Sequence, residues 1–311
     1  MSVVRVEDEL SRHATNQETV VTIGVFDGVH LGHRHLMERV KKRARETERL
    51  SGVVTFHPHP RRVLSEHTRL PYLTGLAERE RLIHEQGIDL VVPLTFTHLL
   101  AGLSAREFMM LLRKYLNVRG LVIGPDFAMG RGRAGDAAAL TVLGQERGFG
   151  VEVVPPLELE GRVVSSTAIR KSLAEGDMAT ANKLLARPFR IRGSIEKGVG
   201  RGRTIGIPTA NVVVDLHLAL PPDGVYVTRA YVDAQTYPSI TNIGRRPTFD
   251  NGERTIEVHI LDFEGDLYRQ ELAIDVIERV RPEMRFGSAG ELKAQIERDI
   301  EKARQVLGEK K

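Results

Sequence analysis

The 311-residue chain has no cysteine and no tryptophan, and only 5% of its residues are aromatic. The absence of cysteine rules out disulfides and leaves no thiolate to complete a structural zinc site. It also suits a reducing compartment, so a cytoplasmic location is expected. With so few aromatic side chains, a stacking platform for single-stranded nucleic acid is poorly supplied. No apolar run approaches the ~20 residues that a membrane-crossing helix needs. The opening MSVVRVEDELSRH lacks the basic-then-apolar order of a secretory signal. An excess of one charge is missing too. The net charge of +4 divides as 25 basic against 22 acidic residues up to position 186, and 20 against 19 beyond it. The basic cluster at 39–45 is interleaved with Glu38, Glu46 and Glu48 and reads as a solvated helix face. Neither a nucleic-acid partner nor a membrane partner is expected. Assembly into a homo-oligomer stays open.

The hydrophobic pattern changes rhythm along the chain, and the length suits two domains. In the first part, apolar runs at 20–26, 53–56, 90–94, 121–124 and 151–154 alternate with helical patterns at 33–50, 77–86, 104–116 and 136–147. Strands that are apolar throughout, alternating with helices, predict a parallel sheet covered on both faces. Two further helical stretches, 167–175 and 177–186, are separated by Gly176 and Asp177. Beyond them, strand-like segments at 189–196, 224–232, 237–242, 254–262 and 270–280 are punctuated by Gly, Pro and Asp. This spacing predicts a small antiparallel barrel or sandwich. A last amphipathic helix at 290–307 carries Leu292, Ile296, Ile300 and Val306 and is expected to pack on it. The rhythm places the domains at 1–186 and 187–311.

Two segments carry chemistry. The decamer GVFDGVHLGH at 24–33 follows an apolar β-branched run and precedes a helical pattern. A strand, a Gly-rich turn and a helix start make a ready phosphate site, because free backbone N–H groups and the positive end of the dipole meet there. His30 and His33 add imidazole donors, with His33 expected at the first helical residue. The pattern H-x-G-H resembles the nucleotidyltransferase signature. The second segment, GVGRGRTIGIPTAN at 198–211, contains four glycines that allow close backbone approach to a bulky anion. Thr209 and Asn211 offer hard oxygen ligands suited to Mg²⁺ held against phosphates. The segment matches neither the Walker phosphate loop nor a dinucleotide fingerprint, and a plain Gly/Arg loop between strands has the same composition. Glu257 and His259 share one side of the strand pattern RTIEVHI, and Ile256 and Val258 the other.

Together these motifs resemble the bacterial bifunctional riboflavin kinase/FMN adenylyltransferase (FAD synthetase) family along nearly the whole chain. The N-terminal pieces are GVFDGVHLGH, TFHPHP at 55–60, GPDFAMGRGRAGD at 124–136 and SSTAIR at 165–170. The C-terminal pieces are GRTIGIPTAN at 202–211, DGVY at 223–226, NIGRRPTF at 242–249, Glu257, and DLY at 266–268. The resemblance implies a Rossmann-like α/β nucleotidyltransferase domain, followed by a mainly antiparallel six-stranded riboflavin-kinase barrel with a C-terminal helix. It implies ATP-dependent phosphorylation of riboflavin to FMN in the barrel, then adenylylation of FMN to FAD with release of pyrophosphate in the first domain. Mg²⁺ would assist.

The roles it implies are residue by residue. Glu257 would be the base of the kinase step. Gly198, Gly202, Arg203, Gly206, Pro208, Thr209 and Asn211 would bind the kinase ATP, with the metal at Thr209 and Asn211. In the adenylyl step, Gly24, Phe26, Asp27, Gly28, His30, His33, Ser166, Thr167 and Arg170 would bind ATP, the two histidines acting on the charge that builds on the phosphates. Phe56, Pro58, Asp126 and Phe127 would lie near the flavin. Met129 stands where many relatives carry an aromatic residue, which bears on flavin stacking. Three alternatives remain open at this point: only one activity is retained, the barrel is a non-catalytic flavin- or RNA-binding module, or the adenylyl acceptor is another mononucleotide.

Overall fold

The structure, a computed structural model, describes residues 6–65, 69–197, 206–245 and 254–308. Gly198, Gly202 and Arg203 of the glycine-rich segment, and positions 246–249 of the NIGRRPTF motif, lie outside the described residues. The chain divides into two units, 1–166 and 167–311.

In the first unit, α1 (Val6–Arg12) precedes β1 (Thr19–Gly24), α2 (Leu31–Glu46) and β2 (Leu50–His57). Then come α3 (Pro60–Leu64), α4 (Leu76–His84), β3 (Leu90–Thr95), α5 (His98–Gly102), α6 (Ala105–Leu116) and β4 (Val118–Ile123). A two-residue ribbon, β5 (Ala128–Met129) with β6 (Gly135–Asp136), leads into α7 (Ala137–Arg147) and β7 (Gly150–Val153). A second ribbon pairs β8 (Glu158–Leu159) with β9 (Arg162–Val163). The main sheet has the order β3-β2-β1-β4-β7, with every neighbouring pair parallel. Its strands are largely apolar because each face meets a core. Val21, Ile23, Val54, Val92 and Leu121 join Leu10, Phe108, Leu112 and Leu140 on one side. Their chain neighbours Val20, Val53, Val91 and Val122 join Met37, Val40, Leu82 and Ile83 on the other. Truncating one such leucine, Leu112 for example, costs ~2–5 kcal/mol.

Two boundaries differ from the sequence pattern, for local reasons. The first strand stops at Gly24 rather than 26, because Phe26 takes a left-handed φ of 53°. The helix expected to 50 ends at Glu46, because Leu50, Ser51 and Gly52 pair with Thr19, Val20 and Val21 and extend β2 backwards. Helix α6 starts where its capping box dictates. Ser104 Oγ accepts the Glu107 N–H at 3.2 Å, and the Glu107 carboxylate accepts the Ser104 N–H at 2.8 Å.

Helix α8 (Ser166–Glu175) starts on the last residue of the first unit and continues into the second, which goes on with α9 (Met178–Leu185), β10 (Phe189–Glu196), β11 (Ala210–Val213), β12 (Gly224–Val232), β13 (Gln235–Arg245), β14 (Arg254–Ile260) and β15 (Glu271–Arg281). These strands close a barrel in the order β10-β11-β14-β13-β12-β15, with antiparallel pairs throughout. The strand pattern of the sequence misses β11, a four-residue strand that begins in the PTAN motif and runs to Val213. It closes the barrel by pairing with both β10 and β14.

The units part at 166/167, ahead of the change of rhythm at 186/187, because α9 is bonded to the barrel. The Asn182 side chain accepts the Phe189 N–H at 2.8 Å and donates to the Val276 carbonyl at 3.0 Å. The C-terminal helix, Ala289–Leu307, covers Val227 and Ile240 with Ile296, Ile300, Ala303 and Val306. Beside that contact the buried Asp299 accepts from Arg281 Nη2 at 2.8 Å and from the Gln295 amide at 2.9 Å.

Candidate active sites

Because β2, β1 and β4 are adjacent and parallel, the segments after them leave from one carboxyl edge of the sheet. They carry the TFHPHP, GVFDGVHLGH and GPDF motifs. The chain order reverses between β1 and β4, the switch point at which open α/β sheets bind ligands.

The decamer forms a strained turn. Phe26, Gly28 and Val29 have φ of 53°, 87° and 39°. For Phe26 and Val29 this costs ~1–3 kcal/mol each, so the surroundings must hold it. His30 is the N-cap of α2 and Leu31 its first residue, so His33 lies one position from the end of the first turn rather than at its start. His30 Nδ1 accepts the His33 backbone N–H at 3.3 Å, which leaves its ring proton on Nε2. The two imidazoles stack with centroids 3.6 Å apart, and the Phe26 ring meets His33 edge-on at 5.2 Å. His30 is 4% exposed. A Cβ on Gly32 would come within 2.9 Å of the Val164 carbonyl and 3.2 Å of the His30 ring, so only glycine fits there.

Asp27 is tied into the protein. Its buried carboxylate accepts the Leu73 and Thr74 N–H groups at 3.0 Å. The Thr74 hydroxyl accepts the Gly28 N–H at 3.1 Å, and Ser166 Oγ donates to the Asp27 carbonyl at 2.9 Å. Asp27 thus builds the turn on which Gly28 and His30 sit. Ser166 is the first residue of α8, and Thr167 and Arg170 follow on that helix in the second unit.

Phe56 and Phe127 both pack, half-buried, on the core under α6. Phe56 stands edge-on to Phe96 at 5.6 Å. Pro58, after a cis peptide bond, is half-buried, and Asp126 is exposed. Met129 is buried in the same core, where an adaptable thioether fills space among Phe108 and its neighbours. Beneath this loop lies Arg79, fully buried, whose Nη1 donates to the Phe56 carbonyl at 2.9 Å. The Tyr72 hydroxyl accepts the His59 N–H at 2.8 Å. Tyr72, Thr74 and Arg79 belong to no motif recognised in the sequence. Their only signal there is polar and aromatic residues in a stretch that has to cross under the sheet edge.

In the barrel, Asn211 on β11 is the register partner of Glu257 on β14, and Glu257 is the partner of Asn242 on β13. Directly opposed residues share a face, so an amide, a carboxylate and an amide form one row. Ile256 and Val258 alternate with Glu257 and are buried inside the barrel, so the row lies on its outer face. His259, also on that face, donates from Nδ1 to the Pro208 carbonyl at 2.7 Å and pins the PTAN segment to β14. Thr209 rounds the rim. It lines the mouth of a cavity of about 360 Å³ with Ile195, Val258, Phe263 and Tyr268. Glu257 and Asn211 do not line that cavity. Gly206 keeps a left-handed φ of 78°. The DGVY motif sits at the other end of the barrel, where Asp223 pairs with Arg254 at 2.8 Å and the Tyr226 hydroxyl donates to the Pro222 carbonyl at 2.5 Å. Burial raises the Tyr226 phenol above its usual range and keeps it neutral. Among the described residues no three His, Asp or Glu side chains converge as a metal cage. No helix among them is long and apolar enough to cross a membrane.

Two family models match the chain: FAD synthetase over residues 12–168 and riboflavin kinase over residues 185–307. A bifunctional riboflavin kinase/FMN adenylyltransferase of Pseudomonas fluorescens is 41% identical over 287 residues, 92% of each chain. The protein of that name from Escherichia coli K12 is 38% identical over 310 residues, 99% of this chain and 98% of the relative. A crystal structure from Streptococcus pneumoniae, described as a macrolide-efflux protein, superposes with a TM-score of 0.87 at 34% identity, covering 95% of this chain and 96% of that one. With both family models in tandem and curated relatives matched end to end, the chain belongs to the bifunctional riboflavin kinase/FMN adenylyltransferase family.

Proposed function

We propose that residues 187–311 phosphorylate riboflavin to FMN and residues 1–186 convert FMN to FAD, each step using one ATP. In the first step the ribityl 5′-oxygen attacks the γ-phosphorus of ATP, its proton passes to the Glu257 carboxylate, and ADP leaves. A hydroxyl is a weak nucleophile, so a carboxylate base in reach is of use. The single observation that most supports this assignment is the pairing of Asn211 with Glu257, which joins the PTAN segment to the proposed base.

The oxygen-only character of Thr209, Asn211 and Glu257 fits Mg²⁺, which keeps several waters and accompanies ATP phosphates rather than needing an all-protein cage. Thr209 and Asn211 would hold it. Bound there, the ion would offset phosphate charge. The remaining catalysis is positioning and electrostatic stabilisation.

In the second step an FMN phosphate oxygen attacks the α-phosphorus of ATP, and the bond to pyrophosphate breaks. The phosphate nucleophile is already ionised near neutral pH, so no base is required. His30 donates through Nε2–H, and His33 and the N-terminus of α2 add further positive potential toward the phosphates. Phe56, Pro58 and Phe127 would flank the flavin, with Asp126 at its edge. Ser166, Thr167 and Arg170 would hold the outer phosphates.

The test is a time course with riboflavin, ATP and Mg²⁺, separating the flavins by chromatography. FMN should rise first and FAD after it. FMN that accumulates without FAD, even when FMN is supplied directly, would remove the second assignment.

A further inference from the structure

The segment at 71–75 touches both sides of the adenylyl site without belonging to either. Thr74 Oγ1 accepts the Gly28 N–H at 3.1 Å and lies 3.3 Å from Asp27 Oδ1, to which its own proton points. The Leu73 and Thr74 amides hold the same carboxylate. Every polar group in this set is buried: Asp27 is 2% exposed and Thr74 4%. Two residues away, Tyr72 faces the other loop. Its hydroxyl accepts the His59 N–H at 2.8 Å, its ring meets the His57 imidazole at 5.5 Å, and the Arg79 guanidinium lies 5.9 Å from the ring while donating to the Phe56 carbonyl.

A left-handed turn at Phe26, Gly28 and Val29 persists only where neighbours over-determine it. Among the neighbours that do so are Thr74 and the Asp27 carboxylate it shares. We propose that Thr74 and Tyr72 are separate positioning residues for FAD formation, Thr74 setting the H-x-G-H turn toward ATP and Tyr72 setting the TFHPHP loop toward FMN. The proposal rests on the adenylyl site described under the proposed function.

The hydroxyls act through hydrogen bonds alone, so near-isosteric variants isolate them. Full-length Thr74→Val, Thr74→Ser and Tyr72→Phe are compared by pyrophosphate release with ATP and FMN varied in turn. Riboflavin phosphorylation and thermal unfolding of the same samples serve as internal controls. Thr74→Val should lower kcat/KM by ~10-fold or more, with KM for ATP rising and KM for FMN little changed, because a buried amide loses its acceptor. Thr74→Ser should restore most of it. Tyr72→Phe should raise KM for FMN several-fold and leave that for ATP unchanged.

Equal shifts in both KM values that track a fall in Tm would overturn the proposal, as would normal kinetics in both hydroxyl-deleting variants. Should Thr74→Val fail to fold, Tyr72→Phe decides by itself, and an unchanged KM for FMN counts as refutation. A His30→Ala control separates the two levels. If it still makes FAD, the site reading fails and this proposal with it. If it is inactive while Thr74→Val and Tyr72→Phe behave normally, this proposal alone fails.

Discussion

Asn211 on β11 stands directly opposite Glu257 on β14, so the amide of the PTAN motif and the only carboxylate of the RTIEVHI strand share one face of the barrel. A base-less variant that keeps the shape of that row is Glu257→Gln. It should reduce FMN formation from riboflavin by ~10²-fold or more, the scale of a lost general base. FAD formation from supplied FMN should not change, and near-normal riboflavin turnover would strip Glu257 of its role.

Thr209→Ala removes the hydroxyl at the rim of the barrel cavity. The Mg²⁺ concentration for half-maximal FMN formation should rise, and FAD formation from FMN should keep its own dependence. An unmoved magnesium curve would argue that Thr209 holds nothing but the rim.

His30 caps α2 through Nδ1. In His30→Ala, FAD formation should disappear while riboflavin phosphorylation stays largely intact. Equal loss of both activities would contradict two separate sites.

Asp299 is 2% exposed and receives both the Arg281 guanidinium and the Gln295 amide. Asp299→Ala leaves the half-buried Arg281 without its carboxylate partner, so the barrel unit should lose ~1–3 kcal/mol. Urea unfolding followed by riboflavin phosphorylation would show the loss, and a midpoint within error of wild type would refute the docking role.

Glu18 bonds Arg119 and Arg49, each at 2.9 Å, and so joins the starts of β1, β2 and β4. The Arg119 hydrogen bond, then that of Arg49, lowers its carboxyl below the ordinary 4.5. A carboxyl with a depressed folded pKa stabilises above its unfolded value and loses that contribution as pH falls through the folded one. Glu18→Gln should therefore have a lower Tm than wild type at pH 7, with the gap closing as the pH drops below about 4.5. A gap that is constant with pH would mean the carboxylate charge is not involved.

Periodicity alone marked the parallel sheet, because strands buried on both faces are apolar or β-branched nearly throughout, as Val20, Val21, Thr22 and Ile23 are. It also marked the last helix by Ile296 and Ile300. The His30 and His33 turn and the PTAN segment were legible as motifs, since phosphate chemistry demands glycine, imidazole and hydroxyl groups close together in the chain. β11 was not legible, because its four residues, straddling the end of a glycine-rich motif, are too few to show alternation until partners exist on both sides.

Nor could the sequence show that Asp27 is anchored by a distant segment. The amides that hold it come from Leu73 and Thr74, 46 and 47 residues along the chain. The same holds for Tyr72 beneath His59, His259 against Pro208, and Glu257 opposite Asn211. The sequence by itself determined which chemistries are present, because those depend on side-chain type and local spacing. Only the tertiary structure decided which groups face each other, because that depends on strand register and on where buried hydrogen bonds close between segments far apart in the chain.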